Sequence, residues 1–440
     1  MHASPQSVPQ VDGPVHLSLQ VPGSKSLTCR ALILAALASG TSTLRGGLRG
    51  DDTESLAKAL ISLGIPIDWQ GPDIVVQGGG PLHAPAEPID VGHGGTPARF
   101  MLAMASLAQG VTCIDGSDRL RERPMADMVI LLNRLGVHVE ATHHEGHLPL
   151  SVTGANWNGN PLQVGQTASS QFLSALLLVA PATELGLTMH LHAPPTSGSY
   201  FMMTLEELRR WGVPISVARG QDPLMEIGVQ PTRPTPCERE IAGDASSALF
   251  WAVAASIIPG SVVSLPRVHL GDGQPDAAAF EVLAAMGVPI SQNADAAEVR
   301  GPDTLRAVPE IDCQDFPDAV PALAVACAFA SETTRLRGLH TLRLKESDRI
   351  AAIATELGNA GVQVDIVGDD LIIHPADPPD DPITCQTYDD HRIAMAMAVM
   401  GLRRGGVSIE DPDCVSKSYP AFWADLATFA AAGLSGDTAP

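Results

Sequence analysis

The sequence is poor in aromatic residues. Phe, Trp and Tyr make up 4% of its 440 residues, although 45% of the chain is hydrophobic. The core must therefore be built from Ala, Leu, Val and Ile, and the length allows two or three domains with ample interior. Basic residues are also scarce: 27 Lys and Arg stand against 49 Asp and Glu, a formal net charge of -22. That balance argues against nucleic acid or an anionic membrane surface as a partner. It leaves small anionic ligands open, because a binding site is governed by local charge. The seven cysteines (Cys29, Cys113, Cys237, Cys313, Cys327, Cys385 and Cys414) show no CxxC or metal-ligand spacing. Reduced thiols in a cytoplasmic protein are expected. Apolar runs such as Phe172 to Ala180 are too short to span a bilayer. The opening MHASPQSVPQVDGP has neither a basic start nor an apolar run, so it does not read as a signal peptide. His143, His144 and His147 lie close in sequence, but no carboxylate or Cys cluster accompanies them, and no metal site is predicted.

What the chain does have is a repeat. A helical pattern of the type L-x-x-L-G, followed by a short β-like run, recurs and closes on Gly64, Gly136, Gly212, Gly287, Gly361 and, more weakly, Gly433. The spacing is about 72 to 76 residues, and each Gly suits the left-handed position that ends a helix. A second marker keeps the same period. Segments such as GSKSLTCRALILAALA, GGTPARFMLAMASLA and GDASSALFWAVAAS are apolar nearly all round and start on small polar residues. Helices of that kind are buried. Each unit thus pairs a buried helix with a half-exposed one, flanked by short strands such as Asp73–Val76 and Asp370–Ile373. The expected fold class is α/β, with a layer of buried helices inside sheets. Three units per half give an N-terminal domain over residues 23–242. A second domain is expected from residues 1–22 plus 243–440, with a hinge near 22–23 and 242–243 and a first strand, Val15 to Val21, that crosses back to the second domain.

The buried-helix starts carry Lys25, Ser26, Gly95, Thr96, Arg99, Ser169, Ser170, Gln171, Asp244, Ser246, Asp318, Asp390 and Arg392. Ser and Asp are ordinary caps there. Lys25, Arg99 and Arg392 are not, because a cation at a helix N-terminus is unfavourable unless an anion joins it. Two facing halves would aim these poles at one cleft holding a multiply charged anion. The stretch Leu342–Arg349 is the most charged of all. It opens into a helical pattern with Glu346 or Ser347 as the expected N-cap, and the four-residue spacing would put Lys345 and Arg349 on one face of the first turn.

Taken together, PGSKSLTCRAL, GGTPAR, LRERPM, SSQFLSALL, GDASSA, FPDAVPALA, TLRLKESDRI, TYDDHRIAMA and VSKSYPAFW resemble the EPSP synthase family of enolpyruvyl transferases. The resemblance runs from Val21 to about Phe429, and KESDR together with DDHRIAMA is its most specific part. It implies two similar domains, each of three βαβαββ-type repeats, an inside-out α/β barrel. It implies transfer of the enolpyruvyl group of phosphoenolpyruvate to the 5-hydroxyl of shikimate 3-phosphate, with no metal or organic cofactor and a mostly monomeric enzyme.

The resemblance assigns Asp318 as candidate base, Glu346 as candidate acid and Lys25 as a cation touching both substrates. Shikimate 3-phosphate would meet Lys25, Ser26, Arg30, Ser169, Ser170, Gln171, Ser197, Asp318, Thr341 and Lys345. Phosphoenolpyruvate would meet Lys25, Gly95, Arg123, Gln171, Arg349, Arg392 and Lys417. Arg119 and Arg121 read as surface charges, and Tyr200 as a packing residue or a contact. His93, Cys29, Thr341 and the Gly198-Ser199 pair depart from the commoner pattern, which bears on substrate affinity and on sensitivity to the family's inhibitor glyphosate. A UDP-N-acetylglucosamine enolpyruvyl transferase would share the fold but needs a reactive loop Cys, and Cys113 sits in an apolar run. A non-catalytic anion binder would not need a paired acid and base. An RNA-end phosphate cyclase would need a nucleotide site and a basic surface.

Overall fold

The computed structural model describes residues 4–377, 379 and 381–434. The chain forms two compact units. One is Gly23–Ile241; the other joins Met1–Pro22 to Ala242–Pro440.

In the Gly23–Ile241 unit three four-stranded sheets share one pattern. A buried helix leads into a central strand, a half-exposed helix follows, and two more strands complete the sheet. The third repeat shows it best. The Ser170–Val179 helix leads into strand Leu187–Leu191, the Gly198–Arg210 helix leads into strand Ile215–Arg219, and Met225–Val229 closes the unit. Strand Leu162–Val164 lies parallel to Leu187–Leu191, with Leu162 opposite Met189, while Met225–Val229 runs antiparallel on its other side. The first repeat borrows its parallel edge strand from the end of the unit, because Glu238–Glu240 pairs with Thr41–Arg45.

The other unit repeats the plan with one exchange and one truncation. Strand His16–Ser18 lies parallel to Val262–Pro266, with His16 opposite Val262. Among the described residues the last sheet has three strands: Ile383–Cys385, Val407–Ile409 and, antiparallel to the latter, Gln6–Ser7 from the start of the chain. Gly64, Gly136, Gly212, Gly287 and Gly361 all have φ between 74° and 101° and end their helices as expected. Gly433 does not: it lies inside the helix Phe422–Leu434. It is small for another reason, because a Cβ there would come within 2.3 Å of Val11 Cγ1.

The helices Lys25–Leu37, Gly95–Ala105 and Ser170–Val179 pack on one another, as do Ala245–Ile257, Val320–Ala328 and His391–Arg404 in the other unit. Each of these helices is buried along nearly its whole length, which is why their sequences lack a polar face. The few aromatics are concentrated. Trp251 stacks on Phe422 and Phe429, with ring centroids 5.4 and 5.5 Å away, and its Nε1 donates to Tyr419 Oη at 2.9 Å. This cluster seats the Phe422–Leu434 helix on the Ala245–Ile257 helix, and losing such a ring costs roughly 3–5 kcal/mol. Among the described residues no helix is long and apolar enough to cross a membrane.

Candidate active site

In the Gly23–Ile241 unit the helix starts bring polar groups together. Ser24 caps the Lys25 helix by accepting from Leu27 N. Lys25 is first in that helix, and its Nζ lies 3.1 Å from Asp52 Oδ2. The anion that a cation at this pole requires is thus supplied by the protein itself, a point the sequence reading missed. Arg30, one turn on, is buried and spends Nε on Thr204 Oγ1 (2.9 Å), Nη1 on Ser26 O (3.0 Å) and Nη2 on Tyr200 O (3.2 Å). Burial lowers its pKa to about 10, so it remains charged at neutral pH.

Ser169 caps the Ser170 helix, its Oγ accepting from Gln171 N at 3.3 Å. Gln166 Nε2 donates to Thr196 Oγ1 (2.8 Å), and Thr196 donates to Thr167 O (2.6 Å). These bonds tie the loop before Ser169 and Ser170 to the loop carrying Ser197, which has a left-handed backbone (φ 49°). Arg99 donates to Gln171 Oε1 and lies over the Phe172 ring at 5.1 Å, fixing the Gln171 amide. The Arg123 guanidinium lies against Gly95, where a Cβ would come within 2.5 Å of Nη1. Arg119 and Arg121 are engaged with exposed or half-buried acids, Arg119 with Glu122 at 2.6 Å and Arg121 with Asp115 at 2.7 Å. His93 is exposed.

In the other unit four cations meet three carboxylates. Arg349 is 1% exposed and sits at the centre. Its Nη1 lies 2.8 Å from Asp318 Oδ1, Nη2 3.0 Å from Glu346 Oε2, and Nε 2.8 Å from Asp390 Oδ2. Lys345 Nζ reaches Asp318 Oδ1 at 3.2 Å, Arg392 Nη2 reaches Asp318 Oδ2 at 3.2 Å, and Lys417 Nζ reaches Glu346 Oε1 at 3.1 Å. Burial alone would weaken the Arg349 charge, but Asp390, Glu346 and Asp318 outweigh it and hold its pKa above the ordinary value. At Lys345 burial prevails: with help from Arg349 it lowers the pKa against the pull of Asp318. The buried Thr341 hydroxyl has no hydrogen-bond partner among the described residues.

Two local expectations fail here. The N-cap is Asp348, whose Oδ1 accepts from Ala351 N at 3.2 Å, not Glu346 or Ser347. Those two side chains are drawn away, Glu346 to Arg349 and Lys417, and Ser347 to Asp390 Oδ2 at 3.0 Å. Lys345 consequently precedes the Arg349–Asn359 helix and shares no helical turn with Arg349. The two cations converge on Asp318 instead. Asp390, recognised only as one of several helix-start acids, proves to be the principal partner of Arg349. Its signal was its place beside Arg392.

The family model for EPSP synthase (3-phosphoshikimate 1-carboxyvinyltransferase) matches residues 9–426. The chain belongs to this family. A 3-phosphoshikimate 1-carboxyvinyltransferase from Methanospirillum hungatei is 39% identical over 417 residues, covering 94% of this chain and 96% of the relative. One from a Nostoc species is 35% identical over 420 residues, covering 95% and 97%. Among solved structures, EPSP synthase from Acinetobacter baumannii aligns with TM-score 0.80 at 26% identity, covering 97% of this chain and 98% of that one. The enolpyruvyl transferase NikO from Streptomyces tendae aligns with TM-score 0.73 at 18% identity over 97% and 96%, a likeness of fold alone. Cys113 lies in strand Val111–Asp115, not in a loop. Cys29, in the Lys25 helix, is fully buried, and burial pushes its thiol up to about 12.

Proposed function

We propose that the protein transfers the enolpyruvyl group of phosphoenolpyruvate to the 5-hydroxyl of shikimate 3-phosphate. The products are 5-enolpyruvylshikimate 3-phosphate and phosphate, on the route to chorismate and the aromatic amino acids. The hydroxyl must lose a proton, the methylene carbon must gain one, and the tetrahedral adduct then loses phosphate and the added proton. Such chemistry needs an acid, a base and fixed cations. The observation that carries the reading is Arg349 bridging Asp318 and Glu346, with Lys345, Arg392 and Lys417 around them.

In this reading Asp318 takes the hydroxyl proton and Glu346 delivers one to the methylene. Glu346 lies between Arg349 and Lys417, an environment that favours its ionised form. Phosphoenolpyruvate would draw those two cations to itself, together with Arg392, Arg123 and the Gly95 backbone. Relieved of them, Glu346 becomes easier to protonate. Planar guanidinium groups suit the substrate's carboxylate and phosphate. Ser169, Ser170 and Ser197 would take the phosphate of shikimate 3-phosphate, with Gln171 beneath its ring. Ser26, Arg30, Thr341 and Lys345 would hold the remainder, and Lys25 would touch both substrates. The finer fold reading, three βαβαββ repeats per domain in an inside-out α/β barrel, belongs to the same proposal, as does a cytoplasmic monomer. Phosphate release is measured with both substrates and again without shikimate 3-phosphate. Release that needs both supports the assignment, and release independent of shikimate 3-phosphate sinks it.

A further inference from the structure

The segment that delivers Asp390 and Arg392 is conformationally costly. Tyr388 and Asp389 both have φ of 55°, a left-handed conformation in two successive residues that have side chains. Such backbone persists only where its surroundings over-determine it. One carboxylate is prominent in those surroundings. Glu356 is 0% exposed. Its Oε1 accepts from Tyr388 Oη at 2.6 Å, and its Oε2 accepts from Gln386 N at 3.3 Å. Burial, with Glu356 adding to it, pushes the Tyr388 hydroxyl up to about 12, so it stays a donor at neutral pH. The turn then closes with Asp390 N donating to Thr387 O at 2.9 Å.

Glu356 and Arg349 belong to one helix and are seven residues apart, two turns along the same face. The helix therefore grips the 385–390 segment twice: at Asp390 through Arg349, and at Gln386 and Tyr388 through Glu356. We propose that Glu356 is a positioning residue, which holds the strained Thr387–Asp389 turn and through it fixes where Asp390 and Arg392 stand. Asp390 in turn accepts from Ser347 and Arg349, and Arg392 reaches Asp318, so a shift at Tyr388 is passed on within four residues. The inference rests on the reading of Arg392 as a phosphoenolpyruvate ligand.

The test measures steady-state kinetics, with phosphoenolpyruvate varied at saturating shikimate 3-phosphate, alongside thermal unfolding. Glu356→Ala and Tyr388→Phe are expected to raise KM for phosphoenolpyruvate about tenfold, with a smaller fall in kcat. Glu356→Gln should recover most of the loss. Its amide can accept from Gln386 N and donate to the Tyr388 oxygen. A lowered melting temperature in Glu356→Ala and Tyr388→Phe with wild-type KM would make Glu356 a purely structural residue and overturn the proposal. If Glu356→Ala does not fold, Tyr388→Phe, which keeps the ring, decides alone. Arg392→Lys is the control. If it leaves KM unchanged, the ligand reading of Arg392 is what fails.

Discussion

Gly95 has no space for a methyl group because Arg123 occupies it. A Cβ there would stand 2.5 Å from Arg123 Nη1 and 2.8 Å from Cζ. Gly95→Ala must therefore displace the guanidinium. KM for phosphoenolpyruvate should rise about tenfold, the loss of one charge-assisted contact, with little change in melting temperature. Glyphosate, which takes the phosphoenolpyruvate position in the family, should lose potency in the same variant. Parallel substrate-saturation and inhibition curves test both, and wild-type values in each would remove Arg123 from that site.

Glu346 is paired with Arg349 and Lys417, and the sugar phosphate is assigned to other residues. Glu346→Gln keeps the shape and removes the proton donor. Turnover should drop by about two to four orders of magnitude, while calorimetric binding of shikimate 3-phosphate stays near wild type. Normal turnover would exclude the acid role.

Asp276 gives a pH dependence whose sign is fixed. It is buried, accepts from the Ser246 hydroxyl and ionises near 6 rather than 3.8; burial is the main cause, Asp318 adds to it and Arg392 opposes it. Between about pH 4 and 6 the unfolded chain has lost this proton while the folded protein keeps it, so this group's contribution to stability falls as pH rises through that window. Replacing it with Asn removes the penalty. In urea titrations Asp276→Asn should gain on the wild type as pH rises from 4 to 6, by on the order of 2 kcal/mol. A difference independent of pH would show that Asp276 does not titrate there.

A fourth expectation concerns packing. Gly433 faces Val11 and Val15, with contacts of 2.3 and 3.0 Å for a Cβ. Gly433→Val should destabilise the protein by about 1–3 kcal/mol through overpacking, read as a lower urea midpoint. An unchanged midpoint would mean that the helix shifts to make room.

The repeat was legible because Gly at the end of a helix is a backbone requirement, visible at Gly64 and Gly361 without any knowledge of contacts. The last sheet takes its edge strand Gln6–Ser7 from the other end of the chain, which no local pattern records. The charged residues of the candidate site were legible as cations out of place at helix starts. Their partners were not. Asp52 was not singled out, and Asp390 read as an ordinary cap, which it is, without its bond to Arg349, because such pairing depends on which helices pack together. Asp348 displaced the expected caps for the same reason, since the bonds that withdraw Glu346 and Ser347 come from Lys417 and Asp390, distant in sequence.

The crossing of His16–Ser18 into the sheet of Val262–Pro266 bears on how the chain is made. Gly23–Ile241 is one uninterrupted stretch whose edge strand is its own, so it can mature while translation continues. His16–Ser18 joins a sheet whose receiving strand begins 246 positions downstream of His16, and Gln6–Ser7 pairs with Val407–Ile409, farther still. At ordinary elongation rates the first waits roughly 10–50 s with its hydrogen-bonding edge unmatched. Removing both would leave Ala242–Pro440 with two bare sheet edges, prone to recruit strands from neighbouring chains.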